Sequence, residues 1–259
     1  MKKLLITLLM LLSISTLTLF ASGSKESKTD NGKETIKMAT NAEWPPLEFV
    51  DDQGNVVGYE VELTEALSTV TDYNWEVVNV AWDGIFAGLA NGAYDGIASG
   101  VSVTDERKQS MVFTTPILKE TQAIIVAKDS VNPPTNLDEL VGKKVGVLIG
   151  AVGDLYLQDS GKDITIKQYD NIAFGIEDML NGNLDAVVVD SIVAGEYVLK
   201  NENYSSKLIS SGEADPIGSP IAICFPKKDT DKVELVNKAL EELEANGTIA
   251  KLKAKYGIL

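Results

Sequence analysis

Residues 82–117 read WDGIFAGLANGAYDGIASGVSVTDERKQSMVFTTPI, and this stretch contains the pattern that decides the fold. Ile85 and Leu89 fall at helical spacing, and Gly92 follows with the left-handed cap that commonly ends a helix. The run 94–98 then has the composition of a strand. A helix that leads directly into a strand indicates a mostly parallel α/β sheet covered by helices.

The second half of the chain repeats this pattern. Residues 181–187 (NGNLDAV) match residues 91–97 (NGAYDGI), and the helix predicted over 172–180 precedes a strand predicted over 184–189. Further strands are predicted over 144–148 and 164–169, and apolar stripes near the C-terminus predict two packing helices. The sequence therefore predicts two similarly built α/β lobes.

Composition excludes several classes of function. The 259 residues carry a formal charge of −15, which disfavours binding to nucleic acid or to an anionic membrane surface. The chain has no histidine, so Ser-His-Asp catalysis and His-ligated metal sites are excluded. The single cysteine, Cys224, lies in an apolar run and is predicted to be a buried hydrophobic residue. We predict no metal, no cofactor and no catalytic residue.

The N-terminus has the pattern of a secretory signal. Two lysines precede the apolar run 4–20, and small residues follow it. We predict a signal peptide over 1–23, a flexible leader over 24–33 and a periplasmic location. No cysteine follows the apolar run, so a lipid anchor is not expected, and an uncleaved membrane anchor is the alternative.

Two charged residues follow predicted strands, at the edge where open α/β sheets bind ligands. Arg107 is the only arginine among 23 basic residues, which indicates a position that needs a planar, two-pronged donor for a carboxylate. A surface ion pair is the alternative. Asp190 ends an apolar strand and could hold an ammonium group, although it could equally cap the next helix. Trp44 and Trp82 follow neighbouring strands and could either flank a ligand or simply pack.

Longer stretches carry a resemblance to a known family. They are ATNAEWPPLEF (39–49), GNVVGYEVELTEAL (54–67), 82–117, KKVGVLIG (143–150), NGNLDAVVVD (181–190) and NGTIAKLKAKYG (246–257). Together they resemble the periplasmic amino-acid-binding proteins of ABC uptake systems. The resemblance covers essentially all of the chain after the leader, and SVTDERK followed by VFTTP is its most specific part.

This resemblance implies a periplasmic-binding-protein fold with two lobes joined by two crossover strands. The crossovers are expected near 119–123 and 215–221. Lobe one is expected over 34–119 plus 222–259, and lobe two over 120–221.

The resemblance also implies which residues bind the ligand. Arg107 is expected to bind the α-carboxylate of a free amino acid, with the backbone amides of Ser102 and Val152. Asp190 is expected to bind the α-ammonium group, with Ser102 and the Ser99 carbonyl.

The aromatic positions of the family correspond to Trp44 and Trp82, on either side of the ligand side chain. The sequence departs from the family at Ala151–Val152, where hydroxyl residues are common, and at Gly100, where some members have serine. Asn41 replaces an acid of the basic-amino-acid binders. This replacement weakens the case for a lysine or arginine ligand without excluding it. Asn41, Glu43 and the two tryptophan faces together favour a polar side chain, with glutamine or arginine as the expected ligand.

The implied function is binding of a free polar amino acid and delivery to an ABC permease, by a monomer without catalysis. One alternative is a periplasmic dehydratase of the cyclohexadienyl or arogenate type on the same scaffold, with Glu43 or Asp154 as the acid or base. Another is a sensory domain that acts through a separate chain.

Overall fold

Two five-stranded sheets carry the fold in the computed structural model, which describes residues 32–258. The predicted signal peptide and most of the predicted leader lie outside the described residues. The strands are β1 (Thr35–Thr40), β2 (Glu43–Trp44), β3 (Glu48–Val50), β4 (Val56–Val57), β5 (Asn74–Asn79), β6 (Gly96–Ile97), β7 (Met111–Phe113), β8 (Leu118–Ala127), β9 (Lys144–Leu148), β10 (Thr165–Tyr169), β11 (Ala186–Asp190), β12 (Leu208–Ile221) and β13 (Cys224–Pro226).

Helices pack on both sheets. They are α1 (Tyr59–Val70), α2 (Trp82–Ala90), α3 (Arg107–Ser110), α4 (Val152–Asp159), α5 (Ile172–Leu180), α6 (Ser191–Gly195), α7 (Thr230–Ala245) and α8 (Thr248–Tyr256), with a 3₁₀ turn at Leu137–Leu140 and a π-helical turn at Glu196–Lys200. Within the described part of the chain, no helix is both long and apolar enough to cross a membrane.

The first sheet has the strand order β5-β1-β6-β13-β7. Strand β1 runs parallel to β5 and β6, whereas β13 runs antiparallel to β6 and β7. The predicted strand over 94–98 has strand geometry only at Gly96–Ile97, although the amides of Asp95 and Ala98 still bond to carbonyl groups of β1. Cys224 is fully buried in this sheet, as predicted.

The second sheet has the order β10-β9-β11-β8-β12. Its β9, β10 and β11 are parallel, and β8 and β12 pair antiparallel to each other along the edge. The chain passes between the sheets just before β8 and just after β12, and the ranges expected for the crossovers lie within these two strands. The two-lobed α/β architecture expected from the sequence is confirmed.

A third, small sheet was not predicted from the sequence. Its three short antiparallel strands have the order β2-β3-β4 and lie in the loop between β1 and α1. The pairing places Trp44 opposite Glu48. This loop thus projects an indole and a carboxyl group from one ordered unit.

Candidate functional site

A small cavity lies between the two sheets, at the carboxyl-terminal ends of their strands. The structure brings all ten predicted site residues to its wall: Asn41, Trp44, Trp82, Ser99, Gly100, Ser102, Arg107, Ala151, Val152 and Asp190. Two residues that were not predicted, Glu48 and Leu148, complete the lining.

Arg107 is held as a buried donor in the wall of this cavity. The Thr104 hydroxyl accepts a hydrogen bond from the Arg107 amide at the start of α3. Only 8% of Arg107 is exposed. Its guanidinium group donates hydrogen bonds to the carbonyl groups of Ser102 (2.9 Å) and Gly150 (3.1 Å). The Phe86 ring lies 4.9 Å from its central carbon.

Arg107 forms no ion pair with any residue of 32–258, so the alternative of a surface ion pair is wrong. Burial lowers the pKa of its guanidinium group, although nearby Asp190 opposes that effect. A buried guanidinium group whose protein partners are neutral carbonyls retains a strong preference for an anion.

Asp190 faces the cavity from the end of β11. Its Oδ1 atom accepts a hydrogen bond from Gln122 Nε2 at 2.6 Å, and its Oδ2 atom accepts one from Trp44 Nε1 at 3.1 Å. Asp190 occupies the N-cap position of α6, as the alternative expected, but its carboxylate makes no capping bond and is directed to Gln122 and Trp44 instead. Burial raises the pKa of this carboxyl group, while the two hydrogen bonds and Arg107 act in the opposite direction.

Both tryptophans connect the two sheets. Trp44, from the small sheet, bonds to Asp190 on the second sheet, and Trp82 Nε1 donates to the carbonyl of Ile149 at 3.0 Å. Trp82 also packs edge-on against Phe86. The alternative of plain packing is therefore incomplete, because each ring lines the cavity while its N–H group bonds across it.

The segment Ser99–Ser102 is fixed by buried polar contacts. Ser99 Oγ accepts from the Asn41 amide and donates to Glu48 Oε1, at 2.9 and 3.1 Å. The Gly100 amide donates to Glu60 Oε1 at 2.9 Å. Gly100 has φ +56°, and a β-carbon there would lie 3.2 Å from the Trp44 ring, which gives a structural reason for glycine in place of serine.

The remaining predicted residues at the cavity are Asn41, Ala151 and Val152. The Asn41 side chain donates to the Val80 carbonyl at 3.1 Å. Ala151 occupies the N-cap position of α4 without a side-chain capping bond, and Val152 begins that helix. The amides at this N-terminus are favourably placed for an anion.

Glu48 is the functional candidate that sequence reasoning missed. Its carboxyl group is fully buried, lines the cavity, and leaves Oε2 without a hydrogen-bond partner among the described residues. Burial raises its pKa well above the usual range, neighbouring Glu60 raises it further, and the Ser99 bond lowers it. A glutamate flanked by Leu47 and Phe49 is a weak sequence signal, because only the small sheet turns it inward.

The two acids considered for catalysis do not line the cavity. Glu43 lies at the surface, where it accepts a hydrogen bond from Asn171 at 2.9 Å. Asp154 is buried elsewhere and accepts from the Gly150 amide and from two glutamine side chains.

Comparison with protein families agrees with this geometry. The family model described as bacterial extracellular solute-binding proteins, family 3, matches residues 36–258. The chain belongs to this family.

Individual relatives of this solute-binding protein span nearly its whole length. The chain is similar to a probable histidine-binding protein of Neisseria gonorrhoeae, with 33% identity over 95% of this chain and 92% of that protein. It is also similar to the arginine-binding extracellular protein of Bacillus subtilis, with 31% identity over 96% of each. Among solved structures, an ancestral arginine-binding protein bound to arginine matches with a TM-score of 0.80 and 32% identity, over 86% of this chain and 98% of that one.

Proposed function

We propose that this solute-binding protein binds free L-arginine outside the cytoplasm and delivers it to the permease of an ABC transporter. The observation that carries the proposal is that a buried arginine and a buried aspartate line the same cavity. Among the described residues, the arginine has no ion-pair partner. Arg107 would bind the α-carboxylate with the amides of Ser102 and Val152. Asp190 would bind the α-ammonium group with the Ser99 carbonyl.

Three groups favour a guanidinium side chain over a neutral one. The Trp44 and Trp82 rings offer flat faces that suit a planar cation. The Glu48 carboxyl group has an unpartnered oxygen in the same wall, which a guanidinium group could satisfy. The arginine-binding relatives support the same assignment, whereas glutamine would leave Glu48 without a cation.

Binding would stabilise the closed arrangement of the two lobes, with 34–119 plus 222–259 as one lobe and 120–221 as the other. In this proposal the ligand contacts residues of both sheets at once. These contacts stabilise the closed state and are absent from the open state. The permease would recognise that closed monomer, exported by the segment over 1–23.

The test is titration calorimetry with L-arginine on the wild-type protein and on Arg107→Lys. We expect the lysine variant to fold and to bind at least about 100-fold more weakly, because one ammonium group cannot replace the two-pronged donor that meets a carboxylate. A loss of that size corresponds to nearly 3 kcal/mol, about one or two charge-assisted hydrogen bonds.

Lys108→Ala is the matched control, since Lys108 is the next residue and is exposed in a surface ion pair with Asp105. It should bind arginine as the wild type does. Unchanged affinity in Arg107→Lys would remove Arg107 from the site, and no arginine binding by the wild type would refute the choice of ligand.

A further inference from the structure

The Glu48 carboxyl group is buried and has no cationic partner among the described residues. No part of Glu48 is exposed to solvent. One oxygen accepts a hydrogen bond from Ser99, and the other has no partner within the described chain. Its only hydrogen bond therefore comes from a neutral hydroxyl group.

The charged groups that face Glu48 are acids. They come from three elements: Glu60 on α1, Glu120 on β8 and Asp190 on β11. Glu60 and Glu120 are themselves 1% and 2% exposed. On β2, Glu43 is occupied at the surface by Asn171, and β4 contributes only valines.

Cations do not offset these acids. Arg107 lines the same cavity, but its guanidinium group donates hydrogen bonds to two backbone carbonyls. Across residues 32–258, every ion pair within 4.0 Å is made by a lysine, and none of those lysines pairs with Glu48, Glu60, Glu120 or Asp190. An isolated carboxylate in such a place is costly, and the group is neutral instead unless a cation enters.

We propose that Glu48 holds a proton when the ligand side chain in the cavity is neutral and loses that proton to solvent when the side chain is cationic. Glu48 is then the residue through which pH sets the choice between cationic and neutral amino acids. This inference rests on the proposed binding function and adds the specificity of the same site.

The proton balance distinguishes two complexes. With a neutral side chain, the carboxyl group keeps its O–H and can donate a hydrogen bond to a carbonyl oxygen of the ligand. With a guanidinium side chain, the carboxylate accepts N–H bonds, and the released proton passes to the buffer. The complex with the cationic ligand therefore holds one proton fewer, whatever the protonation of the free protein.

The experiment compares L-arginine with L-citrulline, its neutral counterpart of almost the same shape. Calorimetry between about pH 5 and pH 9 gives the ratio of the two dissociation constants. We expect the preference for arginine to grow with pH, by up to about tenfold for each pH unit over the range where the two complexes differ by one proton. The α-ammonium groups of both ligands titrate alike, so they cancel from the ratio.

Two variants assign the effect. In Glu48→Gln, which cannot ionise, the ratio should be independent of pH and much closer to one. In Glu76→Gln, the same change on the exposed face of β5, the ratio should follow the wild type. Repeating the titrations in buffers of different ionisation enthalpy counts the protons directly and should find about one fewer taken up with arginine.

The outcomes separate this inference from the proposed function. Arginine binding with a ratio that is constant across pH would overturn the role of Glu48 while leaving the binding function intact. Failure of citrulline to bind even at about pH 5 would also count against it, because a protonated Glu48 should accept a neutral side chain. If Glu48→Gln does not fold, the wild-type ratio and proton count decide the question. Absence of any arginine binding contradicts the proposed ligand instead.

Discussion

Asp190 receives one donor from each side of the cavity, and this arrangement keeps its carboxylate in place. Gln122 comes from the neighbouring strand β8, and Trp44 comes from the small sheet. Because both donors are neutral, they orient the carboxylate without cancelling its charge. Burial raises the pKa of the Asp190 carboxyl group, and the two hydrogen bonds and nearby Arg107 act against that rise. The carboxylate form suits an ammonium group, because no protein cation pairs with it among the described residues.

We predict that Asp190→Asn weakens arginine binding by at least about 100-fold, because the α-ammonium group loses its anionic partner. The same variant should change the binding of 5-guanidinopentanoic acid, which lacks the amino group, by much less. Calorimetry with both ligands forms a double cycle that removes any general effect of the substitution. Equal losses for the two ligands would show that Asp190 acts only on the fold.

Single residues differed in how far the sequence could assign them. Arg107 was accessible to sequence reasoning because it is the only arginine in a lysine-rich chain. From the sequence, Asp190 could either cap the following helix or bind the ligand. Only the structure shows that its carboxylate makes no capping bond. Glu48 could not have been found, since its burial depends on a three-stranded sheet whose strands have only two or three residues.

At the scale of elements, helix α2 carries a contact between the two sheets. Trp82 is its first residue, and its indole N–H reaches the Ile149 carbonyl in the loop after β9. The hydrogen bond joins a helix of the first sheet to a loop of the second, so we expect it to break when the two sheets move apart. It therefore contributes to closure as well as to the aromatic wall.

We predict that Trp82→Phe weakens arginine binding by about 3- to 10-fold, since one neutral hydrogen bond contributes about 0.5–1.5 kcal/mol. Trp75→Phe is the matched control: Trp75 is also buried, but its indole donates to the hydroxyl of Thr71, which follows α1, and makes no contact with the second sheet through that bond. It should lower the melting temperature and leave the affinity unchanged. An equal loss of affinity in both variants would contradict a specific role for the contact to Ile149.

Elements with strong periodicity were predicted well from the sequence. Helix α5 has the predicted bounds, Ile172–Leu180, because glycine and asparagine mark its ends and an apolar face fills its centre. The predicted strand over 94–98 is shorter in the structure, because hydrogen bonding rather than composition sets the ends of an element. The small sheet lacked any periodic signal.

At the scale of the whole molecule, buried acids make the stability depend on pH. Burial raises the pKa of Glu60 to about 7, and burial with neighbouring acids raises the pKa values of Glu48 and Glu120 as well. In the unfolded chain these groups ionise near pH 4.5. Their contribution to stability is complete below that value and is lost as pH rises toward the folded pKa, because unfolding then releases protons.

The surface contributes in the opposite direction at lower pH. Hydrogen bonds from Lys167, Tyr169 and Asn183 lower the pKa of Asp178 to about 2. Its contribution is present above its usual pKa and is lost as pH falls through about 2. For these four groups, the two effects together favour the folded state most at mildly acidic pH.

We predict that the melting temperature of the ligand-free wild type falls between about pH 5 and pH 8, and that Glu60→Gln makes this fall less steep. The amide oxygen of glutamine can still accept the Gly100 hydrogen bond, and an amide has no proton to lose. The variant's melting temperature should match that of the wild type near pH 5 and exceed it at pH 8. The difference in free energy of unfolding should grow by about 1.4 kcal/mol per pH unit until the pKa of Glu60 in the folded protein is passed.

Glu76→Gln is the control for net charge. Self-repulsion from the net charge of −15 also lowers stability at high pH, but Glu76→Gln changes that charge by the same amount as Glu60→Gln, so its melting curve should follow the wild type. Parallel curves for wild type and Glu60→Gln, measured by circular dichroism, would mean that Glu60 is ionised in the folded protein, and the buried acids would then need a cation that their surroundings do not supply.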